Sequence, residues 1–375
     1  MSPPDASSAT VVFLHTSDEH YGADRILLDL FEALPADRRD TAEFWLPTDL
    51  PHGTSPLCVE LERRGARVRH LDLPVLRRSY RTPRRLLALV GRSRALLREL
   101  RRTRPELVYC TTSAAFLGVP IARRAGVPRV LGHVQEVWSG SDRRVLGLLA
   151  RRTDRLVAIS EAVKSSLPPS LQGRTWVVVN ATPAPTRFVP LDGRSGPLRF
   201  VCASRWNGWK GHRTLLAAWD RLESPGELVI LGGPPAAGEV VDVPALVRGL
   251  RRPETVRIVG EVPDADAYLE EADVVVVPSD RPEPFGLVAI EAFARGRPVV
   301  CSEAGGLVDI VSDGLDGWFF PLADVPALGD LLGRLTREQV TEAGARARAT
   351  YETDYTAGRY ARDWLEVTGI AGVSP

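Results

Sequence analysis

Short runs of consecutive apolar residues alternate with longer amphipathic stretches along the whole chain. The run VVFLH at Val11–His15 is followed by ADRILLDLFEAL at Ala23–Leu34, in which apolar residues recur at helical spacing. Further strands are predicted at Glu43–Leu46, Val68–Leu71, Leu107–Cys110, Val130–His133, Leu156–Ile159 and Trp176–Val179. Strands that read as unbroken apolar runs between helices belong to a parallel sheet buried on both faces. From Ala181 to Pro197 the pattern breaks into ATPAPTRFVPLDGRSGP, whose prolines and glycines continue neither helix nor strand, so a linker is expected there. The rhythm restarts at Leu198–Ser204 and continues through strands at Leu228–Leu231, Val256–Val259, Val274–Val277 and Pro298–Cys301. The expected fold is α/β, with two doubly wound parallel-sheet domains over residues 1–185 and 186–354. A last helix, Tyr355–Val367, carries Tyr360, Trp364 and Leu365, and periodicity assigns it to neither sheet.

Length and composition agree with this division. A chain of 375 residues exceeds what one hydrophobic core usually supports, and 44% hydrophobic with 25% charged residues is the balance of a soluble globular protein. Cys58, Cys110, Cys202 and Cys301 are far apart and form no CxxC pair, so neither a zinc site nor a disulfide scaffold is expected, and a reducing cytoplasmic compartment fits best. The start, MSPPDASSAT, has no secretion-signal pattern, and no apolar run approaches the ~20 residues that cross a bilayer. The net charge of +1 hides an asymmetry: 28 basic and 19 acidic residues up to Pro185, and 20 and 28 after it, or about +9 and −8. The halves are therefore expected to face different partners, although solvated charge can also divide this way by accident.

Neither domain opens on the GxGxxG of a dinucleotide site, since VVFLH runs into TSDEHYGAD and LRFVCAS into RWNGWKGH. The strongest local signal is the strand VVVVP running into SDRPEPFGLVAIEAFARG. A helix beginning near Phe285 would place Glu283 at its entrance and the amides of Phe285, Gly286 and Leu287 at its positive end. Glu291 follows eight residues after Glu283, a helical rise of roughly 12 Å, and each carboxylate could accept two hydrogen bonds from a vicinal diol. One could hold sugar hydroxyls and the other a ribose. By itself the pattern fits an ordinary helix start equally well.

Charge usage sharpens the choice. The chain has 46 arginines and only two lysines, Lys164 and Lys210. A lysine retained beside Arg205 in SRWNGWKGH, after a strand, points to a compact ammonium on a phosphate, with Arg205 forking onto phosphate oxygens. In the first half Gly22 could let a loop approach a ligand, or simply turn the chain, and His133 with Glu136 could project from the carboxyl edge of its strand. Residues 77–104 hold eleven arginines and one acid, Glu99, interleaved with leucines. That basic amphipathic stretch could lie on an anionic membrane or meet an anionic acceptor, or be the face of an ordinary soluble helix. No aromatic interleaving supports nucleic-acid binding.

Together these residues resemble the family-4 retaining glycosyltransferases of the GT-B fold, over nearly the whole chain and most specifically in EPFGLVAIEAFARGRPVVCSEAGGLVDIV and the later DGLDGWFF. The resemblance implies two Rossmann-like domains facing a central cleft, acceptor-binding over 1–185 and donor-binding over 186–354, with residues 355–375 crossing back to the first. It implies that Glu283 contacts sugar hydroxyls, the Phe285, Gly286, Leu287 and Val288 amides the sugar and diphosphate, and Glu291 the ribose. Arg205 and Lys210 match the phosphate-binding pair, Gly22 the glycine loop, and His133 the histidine near the reacting sugar. Two departures stand out: DEHYGAD replaces a fuller glycine loop, and Asn180-Ala181 replaces an NG pair. The implied activity is metal-independent hexosyl transfer from a nucleoside-diphosphate sugar, with no other cofactor, to a hydroxyl acceptor. Likeness in LPTDLPHGTSPLCVELERRG leans toward bacterial surface polysaccharide or glycolipid assembly. Rival readings are glycosylation of a small secondary metabolite, a nucleotide-sugar epimerase, and a non-catalytic sugar-nucleotide or membrane-surface module. The DxD at Asp264-Ala265-Asp266 is read as a helix start, not a metal site.

Overall fold

The computed structural model describes residues 11–19, 22–49, 55–77, 83–235 and 238–370. The apolar runs form two all-parallel sheets. The first contains β1 (Val11–Leu14), β2 (Glu43–Pro47), β3 (Arg67–Leu71), β4 (Leu107–Cys110), β5 (Arg129–Val134), β6 (Arg155–Ala158) and β7 (Thr175–Val177), in the order β3-β2-β1-β4-β5-β6-β7. The second contains β8 (Arg199–Ala203), β9 (Glu227–Leu231), β10 (Val256–Gly260), β11 (Val274–Val277), β12 (Val299–Ser302) and β13 (Gly317–Phe320), in the order β10-β9-β8-β11-β12-β13. The chain divides into two units, residues 1–180 with 360–375 and residues 181–359.

In the first unit, strand alternation sorts side chains onto two faces. Phe13, Phe44 and Tyr109 share one. Phe13 stacks on Phe44 at 4.7 Å between ring centroids, and Phe31 of the helix Gly22–Ala33 meets Phe44 edge-on at 5.6 Å. The helix Ala357–Thr368 brings Trp364 onto the same face, where its Nε1 donates to Tyr109 Oη at 3.0 Å. Arg129 holds the end of this helix through the Gly369 carbonyl at 3.2 Å, and Arg155 through the Val367 carbonyl. The opposite face takes the helices Pro83–Thr103 and Gly118–Ala125, because Gly118 packs on Leu14 and Leu96.

In the second unit the four valines of β11 are all buried, paired with β8 on one side and β12 on the other. Trp219 closes the core edge-on against Phe200 at 5.4 Å. The fully buried guanidinium of Arg297 donates to the carbonyls of Val189 at 2.9 Å and Glu270 at 2.7 Å, tying the segment that follows Asn180 to this sheet. Burial and the neighbouring Arg194 charge lower its pKa to about 10, against the opposing pull of Asp273 and Glu270.

Trp364→Ala removes the largest cover of the Phe13 and Tyr109 face together with a buried hydrogen bond. It should destabilise the first unit by about 3–5 kcal/mol, read as a lower urea midpoint at constant fold by circular dichroism.

Candidate functional site

The strand order of the second unit reverses at β8 and β11, and open parallel sheets bind ligands beyond the carboxyl ends of strands at such a point. Two loops leave there: residues 204–211 after β8 and 278–286 after β11. They touch backbone to backbone. Gly211 has φ +73°, and a Cβ at this position would lie 1.7 Å from the Pro278 carbonyl oxygen, so only glycine allows the approach. Its covalent neighbour Lys210 is thereby set beside Ser279, and both reach one carboxylate oxygen. Lys210 Nζ and Ser279 Oγ donate to Glu283 Oε1 at 2.7 and 2.5 Å. The lysine ammonium also lies 4.2 Å from the Trp209 ring centroid.

Glu283 is 4% exposed and held from a third side by the loop after β12. Its backbone carbonyl accepts from Gly306 N at 2.7 Å, and a Cβ on Gly305 would come within 2.2 Å of that oxygen. The following helix is Leu287–Ala294, two residues later than the sequence reading placed its start. Gly286 is the reason: its φ of +119° is not helical, so Glu283, Pro284 and Phe285 lie before the helix and the 12 Å helical-rise figure does not describe the pair. Ala289 N donates to the Gly286 carbonyl at 2.9 Å, while the Leu287 and Val288 amides lack intrahelical acceptors and Gly286 offers no side chain to cap them. Phe285 is buried edge-on against Tyr355 at 6.4 Å, Leu287 and Val288 are half-buried at the helix head, and Glu291 lies one turn further on. Arg205 is exposed at the start of the Lys210 loop.

Three groups here were not anticipated from the sequence. Ser279 completes the Glu283 carboxylate, Asp280 accepts from Thr214 Oγ1 at 2.7 Å, and His212 is buried 3.5 Å from Ser204 Oγ. Burial and the Lys210 charge lower the His212 pKa to about 4, so the imidazole is neutral. The Ser-Asp pair directly after an apolar strand was the available signal. Asp264 Oδ1 accepts from Asp266 N at 2.9 Å and Asp266 pairs with Arg295, so both acids of the DxD are engaged in the start and anchoring of the helix Asp266–Glu271.

The first unit holds the remaining predicted residues. Gly22 is the exposed first residue of the helix Gly22–Ala33. His133 corrects the expectation: it does not project from the carboxyl edge. It is fully buried on the Tyr109 face of β5, with ring centroids 5.9 Å apart, and neither ring nitrogen has a hydrogen-bond partner. The returning helix covers this face, which the local pattern around His133 could not reveal. Beyond the strand, Gln135 Nε2 donates to the Thr111 carbonyl at 2.8 Å and Ser113 Oγ to Glu136 Oε2 at 2.7 Å. At the β1 and β4 ends lies a buried network absent from the sequence reading: His15 Nδ1 meets Thr111 Oγ1 at 2.6 Å and its Nε2 meets Asp24 Oδ1 at 2.9 Å.

These two sheets define the GT-B fold, seen also in Anabaena HepE solved in complex with UDP-glucose (TM-score 0.77, 20% identity, 96% of this chain and 99% of that one). Residues 197–338 match the family model described as glycosyl transferases group 1. It is 31% identical over 250 residues to a glycogen synthase of Mycobacterium tuberculosis, covering 63% of this chain and 59% of the relative. With the D-inositol 3-phosphate glycosyltransferase of Xylanimonas cellulosilytica it shares 39% identity over 166 residues, 42% of this chain and 39% of the relative. The chain thus spans less than two thirds of the length of either relative.

Two substitutions test the geometry. Gly211→Ala forces a side chain against the Pro278 carbonyl at positive φ and should cost at least about 2 kcal/mol, measured by urea unfolding. For His133, burial lowers the pKa to about 3 from 6.5. Between those values the unfolded chain binds the extra proton, so stability is present above pH 6.5 and lost as pH falls. His133→Leu should therefore gain on the wild type by roughly 2 kcal/mol between pH 7 and pH 5. Parallel stability curves for the two proteins would contradict the buried neutral imidazole.

Proposed function

We propose that the protein is a retaining glycosyltransferase of the family-4 type, moving a hexosyl-type sugar from a nucleoside-diphosphate sugar to a hydroxyl acceptor. The observation that carries this is the Lys210–Glu283 contact at the head of the helix Leu287–Ala294, at the point where the strand order reverses. It gathers a cation, a carboxylate and uncapped amides, the three kinds of group that a sugar diphosphate engages. Lys210 and Glu283 neutralise one another. An arriving diphosphate competes for the ammonium, which releases the carboxylate for sugar hydroxyls. The sugar end then lies at Glu283 and the ribose end at Glu291, with Arg205 and the Phe285–Val288 amides along the diphosphate.

In the reaction the bond from the anomeric carbon to the leaving phosphate oxygen breaks and the acceptor oxygen bonds to that carbon from the same face. The acceptor proton passes to the departing diphosphate. Lys210, Arg205 and the helix amides stabilise the charge that grows there, so the scheme calls on no metal ion and no cofactor besides the donor. Among the described residues no helix is long and apolar enough to cross a membrane. The four cysteines are free and buried, which supports a reducing cytoplasmic location. The acceptor class we favour is a glycan or lipid-linked glycan of bacterial surface polymers.

Lys210→Ala should lower kcat by about 10²–10³-fold, the usual loss for one preorganised donor to developing charge. Glu291→Ala should raise the donor Kd by about tenfold or more, the value of a charged hydrogen-bonding pair to ribose. A thermal-shift panel of nucleoside diphosphates and their sugars measures the second effect, since a ligand of the folded state raises the midpoint. A flat panel, or full turnover by both variants, would end this reading. Epimerisation of the donor without acceptor would replace it.

A further inference from the structure

Three helices of the first unit lie side by side on the Leu14 face of its sheet: Pro83–Thr103 packs on Gly118–Ala125, which packs on Gly140–Ala150. Helices that link parallel strands run antiparallel to them, so all three start at the carboxyl edge. Their outer surfaces share one pattern. On the first helix Leu87 is 73% and Val90 48% exposed, and Arg94, Arg98 and Arg101 continue the same outward stripe. On the last, Val145 is 54% and Leu148 64% exposed, flanked by Arg144, Arg151 and Arg152.

The arginine-rich segment does not act as a single block. Arg77 and Arg92 are bound to Asp49, and Arg102 and Arg69 to Glu99. The guanidinium groups of the six outward arginines named above have no salt-bridge or hydrogen-bond partner among the described residues; Arg151 and Arg152 accept hydrogen bonds only through their backbone carbonyls. Of the two acids carried by these helices, Glu99 is neutralised and only Asp142 stands exposed. The layer is thus a positive surface with large apolar side chains standing out of it, and the positive part continues onto a helix outside the 77–104 stretch.

We propose that this three-helix layer docks on an anionic phospholipid surface, with Leu87, Val90, Val145 and Leu148 entering the headgroup boundary and the arginines facing lipid phosphates. Unpaired guanidinium groups match a sheet of negative charge, and exposed aliphatic side chains gain only where an apolar phase lies beneath that charge. A nucleic-acid duplex would use the arginines and leave the leucines without a role. The inference stands independently of the transfer chemistry, because its test does not read activity.

The full chain should co-sediment with vesicles of mixed phosphatidylcholine and phosphatidylglycerol, not with pure phosphatidylcholine, and binding should fall as salt is raised. The triple change Arg94→Gln, Arg98→Gln, Arg101→Gln should lower the partition constant on the order of a hundredfold. Leu87→Asp with Leu148→Asp should lower it by about tenfold or more. Both sets lie on exposed surface, so an unchanged melting midpoint controls for folding. Absence of binding to anionic vesicles, or equal binding by both variants, overturns the proposal, as does binding to duplex DNA or heparin without binding to vesicles.

Discussion

Everything chemical in the second unit hangs on one close approach, that of Gly211 to the Pro278 carbonyl. Parallel strands deliver their loops to a common edge, but neighbouring loops normally stay a side chain apart. Without a Cβ at residue 211 the loops after β8 and β11 come into backbone contact, and the residues covalently next to that contact, Lys210 and Ser279, converge on Glu283. The Lys210 side chain is 22% exposed and that of Glu283 6%, so the pair is drawn largely out of water. A pair so placed loses hydration that its mutual attraction repays only in part, and breaking it by removing one partner is costly. Its retention makes sense where an anionic, hydroxylated ligand takes over both partners.

The first unit is organised by a different constraint, the parity of strand side chains. Gly132 faces Phe116 on the side of the helix Gly118–Ala125, while His133 faces Tyr109 on the other. That second side presents Phe13, Tyr109 and His133, and the helix Gly22–Ala33 meets it through Phe31 against Phe44. The returning helix supplies the missing cover through Trp364, and residues 360–375 consequently belong to the first unit although they follow the second in sequence. The same cover removes His133 from water. A histidine that reads as a group on a sheet edge is in this fold a polar ring packed into the core at the cost of its protonated form.

Most parallel strands were legible because burial on both faces leaves runs such as VVVV with no polar interruption: the twelve strands expected from the pattern all appear, and the described residues add β13, which the pattern did not single out. The helix after β11 was misplaced by two residues because a glycine at φ +119° is silent in an apolar pattern. The glutamate and lysine were legible as candidates through their surroundings, an apolar strand before one and the scarcity of lysine around the other. The His15, Asp24 and Thr111 network was not, since Thr111 directly follows β4 and meets His15 because β1 and β4 pair in the sheet. The arginine count likewise overstated residues 77–104, where tertiary contacts with Asp49 and Glu99 absorb several charges.

The match to the glycosyl transferases group 1 model covers residues 197–338 and so contains Arg205, Lys210, Glu283 and Glu291 while leaving the first unit outside it. This division has a physical basis under the proposed function. A diphosphate bridging two sugars presents the same charges and nearly the same length whatever the hexose, so the residues that grip it are constrained in type and spacing. An acceptor hydroxyl imposes no comparable pattern, and the loops after β1 and β4 can vary as long as the sheet beneath them is kept. The DEHYGAD segment and the buried His15–Asp24 contact then belong to the part of the molecule where specificity can drift, anchored by a helix that arrives from the other end of the chain.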